Sequence, residues 1–470
     1  MNYLDVKETA KRWGVTERRV TALCRNRRVI SAKKEGKSWL IPDDAVLPPD
    51  GRTKEAVMEK ETSETNYTTV GYTSVGARSK AHEEFVKTYG KEPQETAFTP
   101  YRICPIGAHS DHQFGKITGF AIDKGIYIAY GPKQNGIIEI KSLQFPKRAQ
   151  WHVAEVPKDK QNDWADHLRG ATIALNARYP LRVGLCAVVD GELPIGGLSS
   201  SAAVIITYLS ALSKLNGVQL TPAEMITISK EAENSYVGVS CGKLDQSCEV
   251  YCRKDQLLYL DTQNDRYELI PTPANMKPYE IAIFFSGLER SLASSKFNMR
   301  VDECRSAAYA LLAFSGMEYG KFNETNLRDV PYEVYLQYKD RLPLNWAKRA
   351  EHWYTEYQRV EAGAEAWRRG DIEEYGRLSF ESGKSSIENW ETGSPELIQL
   401  YEIMTHTQGI YGGRFSGAGF KGCCIALCES GKTEEISAKI RSEYLKMFPS
   451  LSEKFKIAVC KTADGVGRGK

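Results

Sequence analysis

The sequence predicts an α+β fold made of more than one domain. The chain has 470 residues, and since a domain usually holds about 100–200 residues, two or three packed domains are expected. Short apolar runs rich in β-branched residues, at 184–189, 281–285 and 423–427, indicate buried strands. Long segments with helical spacing, such as 346–369, are mixed with these runs. Strands and helices combined in this way are typical of the α+β class.

The first 50 residues have the pattern of a small separate module. A first helix is predicted to end at Gly14, and Thr16 can cap a second helix over residues 17–26. Two short extended stretches, 30–33 and 38–41, follow with a turn between them. Helix, turn, helix and hairpin in this order are the layout of a winged helix-turn-helix.

The module is also basic. Residues 1–54 hold 13 Lys and Arg against 7 Asp and Glu, a net charge of +6 in a chain whose total is +3. The segment LDVKETAKRWGVTERRVTALCRNRRVISAKKEGKSWLIP resembles the excisionase and MerR-like winged-helix family. That resemblance implies that residues 1–50 bind duplex DNA with the second helix in the major groove. A contact surface for another protein is the alternative. The basic side chains available are Arg18, Arg19, Arg25, Lys33, Lys34 and Lys37.

Residues 51–76 are predicted to be a linker, because they are rich in Pro, Thr, Ser and Glu and show little periodicity. The 11 cysteines are an odd number scattered through apolar surroundings, which suits reduced thiols in a cytosol. The amino terminus has no apolar signal segment, and no run approaches the ~20 apolar residues of a membrane helix. We therefore expect a cytoplasmic protein without a membrane segment.

The most informative segment of the body reads LPIGGLSSSAAV, at 193–204. Its two adjacent glycines let the backbone approach a ligand closely. Three hydroxyl side chains follow, and a helix is predicted to begin there with free N–H groups and a positive dipole end. These properties suit a phosphate group, and simple helix capping is the alternative. The segment is not a Walker A loop, because no Gly-Lys-Ser/Thr follows the glycines.

Three further segments concentrate polar groups or glycines. Residues 101–115, YRICPIGAHSDHQFG, suggest a ligand loop, with a hydrogen-bonded turn as the alternative. Residues 231–246, EAENSYVGVSCGKLDQ, place acidic side chains at both ends of a glycine-broken segment. Residues 413–422, GRFSGAGFKG, are glycine-rich before a predicted strand, which a hairpin turn would also explain.

These four segments, in this order, resemble the GHMP small-molecule kinases and, within them, the galactokinases. The resemblance spans about residue 80 to the end and implies a two-lobed fold with the active site between the lobes. A ribosomal S5 domain 2-like lobe would cover 77–275, and a ferredoxin-like lobe 276–470. The implied reaction moves the γ-phosphoryl group of ATP to the anomeric hydroxyl of a galacto-configured sugar.

The resemblance also implies roles for individual residues. Asp245 would accept the proton of the 1-hydroxyl, and Arg102 would keep Asp245 ionised and offset developing charge. Ser201 and Glu233 would hold Mg²⁺, which prefers hard oxygen ligands. The residues placed at the ATP phosphates are Gly196, Gly197, Leu198, Ser199, Ser200 and Ser201. The residues placed at the sugar are Ala108, His109, Asp111, His112, Gln113, Gly242 and Phe297.

One departure from the galactokinase pattern concerns carbon 6 of the sugar. Galactokinases carry R-x-N-L-I-G-E-H-T-D-Y, whereas this chain has Ala108 at the glutamate and His112 at the tyrosine. Phe297 likewise stands where galactokinases have a sugar-contacting tyrosine. The segments PYRICPIGAHSDHQ and KSSIENWETG resemble the galacturonate kinases of plants. The carboxylate of a uronic acid would be repelled by that glutamate by ~4 kcal/mol at about 4 Å and an effective dielectric constant of about 20.

We therefore expect D-galacturonate to be the substrate and galacturonate 1-phosphate the product, with His112 or Gln113 donating a hydrogen bond to the acid. Plain galactokinase activity is the alternative within the same class. A DNA-binding sugar sensor built on a kinase body is the alternative from a different class, and the winged-helix resemblance motivates it.

Overall fold

The computed structural model describes residues 3–25, 29, 32–36, 38–43, 45, 47, 69–70, 80–288 and 294–468. Contacts divide the chain into two compact units, Met1–Tyr67 and Thr68–Lys470. Lys37 and most of the predicted linker 51–76 lie outside the described residues. The division of the body into lobes at 275 and 276 stays a prediction.

The described residues of the first unit form two helices and three short strands. Helix α1 is Val6–Trp13 and helix α2 is Glu17–Arg25. Asp5 and Glu8 form a capping box at the start of α1, and Gly14, at φ 66°, ends it in the left-handed conformation. Strands β1 (Tyr3–Leu4), β2 (Lys33–Glu35) and β3 (Ser38–Pro42) form an antiparallel sheet in the order β1-β3-β2. A small core closes this unit: Ala10, Val20, Leu23, Cys24, Val29 and Ile41.

The largest sheet of the second unit has eight strands: β5 (Glu95–Ile103), β6 (Lys116–Lys133), β7 (Ile137–Ser142), β8 (Ala149–His152), β9 (Gly184–Gly191), β10 (Gln256–Asp261), β11 (Arg266–Pro271) and β16 (Thr462–Ala463). Their order is β11-β10-β6-β9-β7-β8, and β5 and β16 also pair with β6. β7 and β9 run parallel, and the other pairs are antiparallel.

A second, antiparallel sheet contains β12 (Tyr279–Phe285), β13 (Ile410–Phe415), β14 (Cys423–Glu429) and β15 (Lys456–Cys460), in the order β13-β14-β12-β15. Two short strands, β4 (Thr69–Val70) and β17 (Gly467–Arg468), pair with each other in a small ribbon. The three apolar runs predicted to be strands lie in β9, β12 and β14.

The helices of the second unit are α3 (Lys80–Tyr89), α4 (Asp166–Asn176), α5 (Ser200–Leu215), α6 (Pro222–Glu231), α7 (Leu244–Tyr251), α8 (Ser294–Ser315), α9 (Tyr332–Tyr338), α10 (Leu344–Arg368), α11 (Ile372–Glu388), α12 (Pro395–Thr405) and α13 (Thr433–Met447). A π-helical turn, Ala232–Val237, continues α6. Single 3₁₀ turns occupy Asp111–Gln113, Phe322–Glu324, Leu327–Asp329, Lys339–Arg341 and Pro449–Leu451.

One continuous apolar core joins the two larger sheets. It contains buried residues of the eight-stranded sheet, of α5 and of the inner face of β12 and β14. Helices α10 and α11 pack on each other, and α11 packs on β13. The α+β prediction is therefore confirmed. All 11 cysteines are free, and all but Cys241 are buried. Among the helices described, none has both the length and the apolar character needed to cross a membrane.

Candidate active site

A buried ion pair joins β5 to the start of α7. Nε of Arg102 donates to Oδ1 of Asp245 at 2.8 Å, and Nη2 lies 2.7 Å from the same oxygen. The side chain of Arg102 is 4% exposed and that of Asp245 is 28% exposed. Burial disfavours the charged guanidinium, but the Asp245 carboxylate outweighs this cost, so the pKa of Arg102 is raised above its ordinary value. The pair thus presents a partly accessible carboxylate that is anchored by a permanent cation.

Arg102 also reaches both glycine-rich segments. Its Nη1 donates to the carbonyl oxygen of Gly197 at 3.1 Å and to Oγ of Ser416 at 3.2 Å. The first partner belongs to the 193–204 segment and the second to the 413–422 segment. Arg102 itself belongs to the 101–115 segment and Asp245 to the 231–246 segment, so the contacts of Arg102 bring all four predicted segments together.

The two glycines of the 193–204 loop are needed for close backbone contact. Gly196 has φ 135° and Gly197 has φ 88°, values that disfavour other residues. A Cβ atom at Gly197 would lie 2.6 Å from Sγ of Cys423, and one at Gly196 would lie 3.1 Å from Cα of Gly422. The 413–422 segment is the hairpin connection between β13 and β14, and it also packs on this loop.

Helix α5 begins within the 193–204 segment, and its first residue is Ser200. Ser199 precedes it in the left-handed conformation, at φ 57°, and its side chain makes no capping hydrogen bond. The hydroxyl oxygen of Ser199 is buried and has no hydrogen-bond partner. The capping alternative therefore does not describe this helix start. The positive end of the α5 dipole and the unpartnered Ser199 hydroxyl can therefore bind an anion.

Glu233 lies in the π-helical turn and is 5% exposed. Its Oε2 accepts a hydrogen bond of 2.6 Å from Nε2 of Gln246, the residue after Asp245. Ser201 lies half-buried in the first turn of α5. The described residues contain no group of three or more His, Cys, Asp or Glu that could hold a metal ion. A hydroxyl and one carboxylate fit Mg²⁺ only if a bound phosphate supplies further oxygen ligands.

Asp111 lies against the start of α7. Its Oδ2 accepts a hydrogen bond of 2.9 Å from the backbone N–H of Leu244. A Cβ atom at Gly242 would lie 2.2 Å from the same oxygen, so only glycine fits there. Burial raises the pKa of Asp111, and the charge of the neighbouring Asp245 raises it further. The structure thus brings Asp111 and Gly242 together next to the Arg102–Asp245 pair.

His109 and Trp390 form a stacked aromatic pair. Their ring centroids are 5.1 Å apart and their planes differ by 9°. His109 has φ 63°, and its Nε2 lies 3.0 Å from the carbonyl oxygen of Gly417. Burial lowers the pKa of His109 well below its ordinary value, so the ring is neutral and its Nε2–H donates to that carbonyl. Trp390 lies in the segment KSSIENWETG, and its position in the sequence alone predicts no role for its ring.

His112 and Gln113 differ in how their polar atoms are used. Both ring nitrogens of His112 are buried and lack a hydrogen-bond partner. Burial lowers the pKa of His112 to about 3, so the ring is neutral. Its ring is nearly perpendicular to that of Phe297, at a centroid distance of 5.8 Å. The Gln113 amide is instead bound to the backbone: Oε1 accepts from Leu327 N–H at 3.1 Å, and Nε2 donates to His112 O at 3.2 Å.

The loop around Ala108 is held from α10 by residues that sequence reasoning missed. Nε2 of His352 lies 3.0 Å from the carbonyl oxygen of Ala108. Oε1 of Glu356 accepts a hydrogen bond of 2.6 Å from the backbone N–H of Gly107. Glu356 is fully buried and lies between two cations: Nε of Arg359 at 2.7 Å and Nη1 of Arg414 at 3.5 Å. Its pKa falls to about 2, because these charges outweigh the opposing effect of burial.

Comparison with known proteins explains this arrangement. Family models for the GHMP kinases N terminal domain and GHMP kinases C terminal match residues 166–253 and 364–446. The galactokinase galactose-binding signature matches residues 83–132. Galacturonokinase from Arabidopsis thaliana is 38% identical over 389 residues, which are 78% of this chain and 91% of the relative. The chain belongs to the galactokinase family of GHMP kinases. Galactokinase from Thermococcus kodakarensis is 32% identical over 371 residues, covering 78% and 98% of the two chains.

Solved structures agree with this membership. The crystal structure of Lactococcus lactis galactokinase complexed with galactose matches with a TM-score of 0.74 and 26% identity, covering 82% of this chain and 97% of that one. Methanococcus jannaschii mevalonate kinase, at 15% identity and a TM-score of 0.53, shares the fold. The predicted GHMP kinase fold is confirmed, and members of this family are ATP-dependent phosphotransferases. The three family models begin at residue 83 or later, so the winged helix-turn-helix over 1–50 stays a prediction.

Proposed function

We propose that this chain transfers the γ-phosphoryl group of ATP to the anomeric hydroxyl of D-galacturonate, forming galacturonate 1-phosphate. The observation that carries this choice of sugar is Ala108, which stands where the galactokinase motif has a glutamate. A methyl group cannot accept a hydrogen bond from a 6-hydroxyl, and it does not repel a 6-carboxylate. The 38% identity to a protein named galacturonokinase supports the same choice.

On the acceptor side, Asp245 takes the proton of the 1-hydroxyl as the new bond to phosphorus forms. Arg102 holds this carboxylate through two contacts to Oδ1 and supplies a fixed positive charge beside the developing negative charge. Asp111 and His109 line the same site and bind sugar hydroxyls. Phosphoryl transfer depends mainly on such positioning and charge stabilisation.

On the donor side, the residues present fit the phosphates of a nucleotide. The 193–204 loop offers glycine backbone at positive φ, an unpartnered buried Ser199 hydroxyl and the start of α5. ATP would supply the transferable phosphoryl group, and Mg²⁺ would neutralise charge on its phosphates. Ser201 and Glu233 are the residues that would hold the metal, and Gln246 keeps the Glu233 carboxylate in place.

The test compares kcat/KM for galacturonate, glucuronate and galactose. We expect galacturonate to be the best substrate, and a higher value for galactose would overturn the proposal. Ala108→Glu should lower kcat/KM for galacturonate by about 100-fold or more, because it adds a repulsive charge, and should raise it for galactose. Ala108→Gln is the matched control, since it adds the same bulk without the charge.

We further propose that residues 1–50 form a winged helix-turn-helix that binds duplex DNA. The specific observation is that the described basic side chains of α2 and β2 are solvent-exposed: Arg18, Arg19, Arg25, Lys33 and Lys34. Clustered cations of this kind neutralise phosphates and give salt-dependent affinity. A contact surface for another protein is the competing role, and the sensor function would require the same DNA binding.

A further inference from the structure

Five buried nitrogen atoms in or near the 101–115 loop lack hydrogen-bond partners among the described residues: Nδ1 of His109, Nδ1 and Nε2 of His112, Nε1 of Trp390 and Nε of Arg305. Buried polar groups in folded proteins are nearly always hydrogen-bonded, because leaving one unpaired is costly. Unpaired groups gathered in one place therefore point to a bound group that completes them.

These atoms lie on elements that pack together. Helix α8 contacts the 3₁₀ turn Asp111–Gln113, which carries His112. The rings of Phe297 and His112 are nearly perpendicular, and Phe297 precedes Arg305 by eight residues on α8. Eight residues correspond to about 80° around the helix axis and about 12 Å along it, so Arg305 lies beside the face that carries Phe297, about two turns further along α8. Burial is the largest cause that lowers the pKa of His112, and the positive charge of Arg305 is the second largest.

The positive charge of Arg305 is only weakly compensated by the protein. Its Nη1 donates to Oδ1 of Asp302 at 3.2 Å. Asp302 is 58% exposed, so this pair is solvated and weak, whereas the Arg305 side chain is only 22% exposed. A neutral imidazole and a nearly unneutralised guanidinium suit an anion better than they suit a hydroxyl group. The rings of Phe297 and Trp390 beside His112 exclude water and strengthen such a charge interaction.

We propose that Arg305 and His112 together bind the C6 carboxylate of the sugar substrate. This assignment rests on the proposed function, since it concerns the same sugar site. Arg305 supplies the charge, and the neutral His112 ring donates one N–H. Ala108 leaves room for the acid, and Arg305 supplies the affinity for it. Arg305 is thus a specificity-determining residue that the motif comparison does not reveal.

The experiment measures galacturonate and galactose kinetics, together with calorimetric galacturonate binding, for the full chain and three variants. Arg305→Met should raise KM and Kd for galacturonate about 10- to 100-fold, as expected for loss of a charge-assisted hydrogen bond. The same variant should leave KM for galactose within twofold. Arg305→Lys keeps the charge and should recover part of the galacturonate affinity. Asp302→Asn is the control, because it removes the partner of Arg305 in the protein and should leave galacturonate binding unchanged or tighter.

Two results would overturn the assignment: unchanged galacturonate affinity in Arg305→Met, or an equal loss for both sugars. If Arg305→Met does not fold, Arg305→Lys and Asp302→Asn decide, and an equal response of both sugars to Arg305→Lys contradicts the proposal. Failure of the proposed function has a different signature, since the wild-type chain would then prefer galactose. If the wild type prefers galacturonate and Arg305→Met keeps the same preference, only the role of Arg305 is overturned.

Discussion

Replacing Glu356 by glutamine tests whether α10 holds the loop around Ala108 through a buried charge. Glu356 is fully buried, and its Oε1 accepts the Gly107 N–H and the Ser382 hydroxyl. Arg359 and Arg414 supply the balancing positive charge. Glutamine keeps the shape of the side chain but leaves these two cations without their anion.

The size of the effect follows from the pKa of Glu356, which is lowered from 4.5 to about 2. A change of this size corresponds to about 3 kcal/mol of stability, in line with the ~3–5 kcal/mol lost when one partner of a buried ion pair is removed. Because the folded-state pKa is the lower one, this stability is present above about pH 4.5 and is lost as the pH falls toward about 2. We therefore expect Glu356→Gln to unfold at lower urea concentration at pH 7.

The measurement is urea denaturation of the wild type and the variant from pH 7 down to about pH 3, with KM for the sugar determined at pH 7. The difference in unfolding free energy should shrink as the pH falls, because the wild type loses its advantage. Glu361→Gln is the matched control on the same helix: its exposed pair with Lys116 should cost less than about 1 kcal/mol. Equal stability of Glu356→Gln and wild type at pH 7 would refute the reasoning.

Two further predictions concern the Asp245 carboxylate and the N-terminal unit. Asp245→Asn should lower kcat about 1,000-fold while sugar binding stays measurable by calorimetry, since the amide keeps the shape but cannot take the proton; near-normal turnover would remove Asp245 from the mechanism. Deletion of residues 1–60 should leave kinase activity within a few-fold and abolish binding to duplex DNA. Full-length protein should bind DNA at ~50 mM salt and release it as salt rises, and equally poor binding by both proteins would exclude the DNA-binding role.

The parts of the site that the sequence predicts are those encoded by neighbouring residues. The adjacent Gly196 and Gly197 signal a tight backbone approach, and the structure shows that approach against Cys423 and Gly422. The predicted helix over 346–369 is confirmed as α10, Leu344–Arg368. Local patterns of this kind depend only on positions close in the chain.

The contacts missed by sequence reasoning join residues far apart in the chain. Glu356 is 249 positions from Gly107, and Trp390 stacks on His109 from 281 positions further along the chain. The sequence does not show whether a Glu or Arg on a helix is buried or exposed. Its partner in a buried ion pair therefore cannot be deduced from spacing. The unpartnered nitrogens of His112 and Arg305 are likewise visible only in three dimensions.

The contact of Gly196 and Gly197 with the hairpin at 417–422 has a consequence for synthesis of the protein. The loop that holds Gly196 and Gly197 is made early, but the backbone it rests on is more than 200 residues further along the chain. When only the first half of the second unit has left the ribosome, the loop at Gly196 and Gly197 lacks its contact with residues 417–422. Strand β16 then adds to β6 after nearly all of the chain has emerged. Ribosome-bound partial chains are therefore expected to be inactive, and ATP protection of this loop against proteases should appear only near the end of translation.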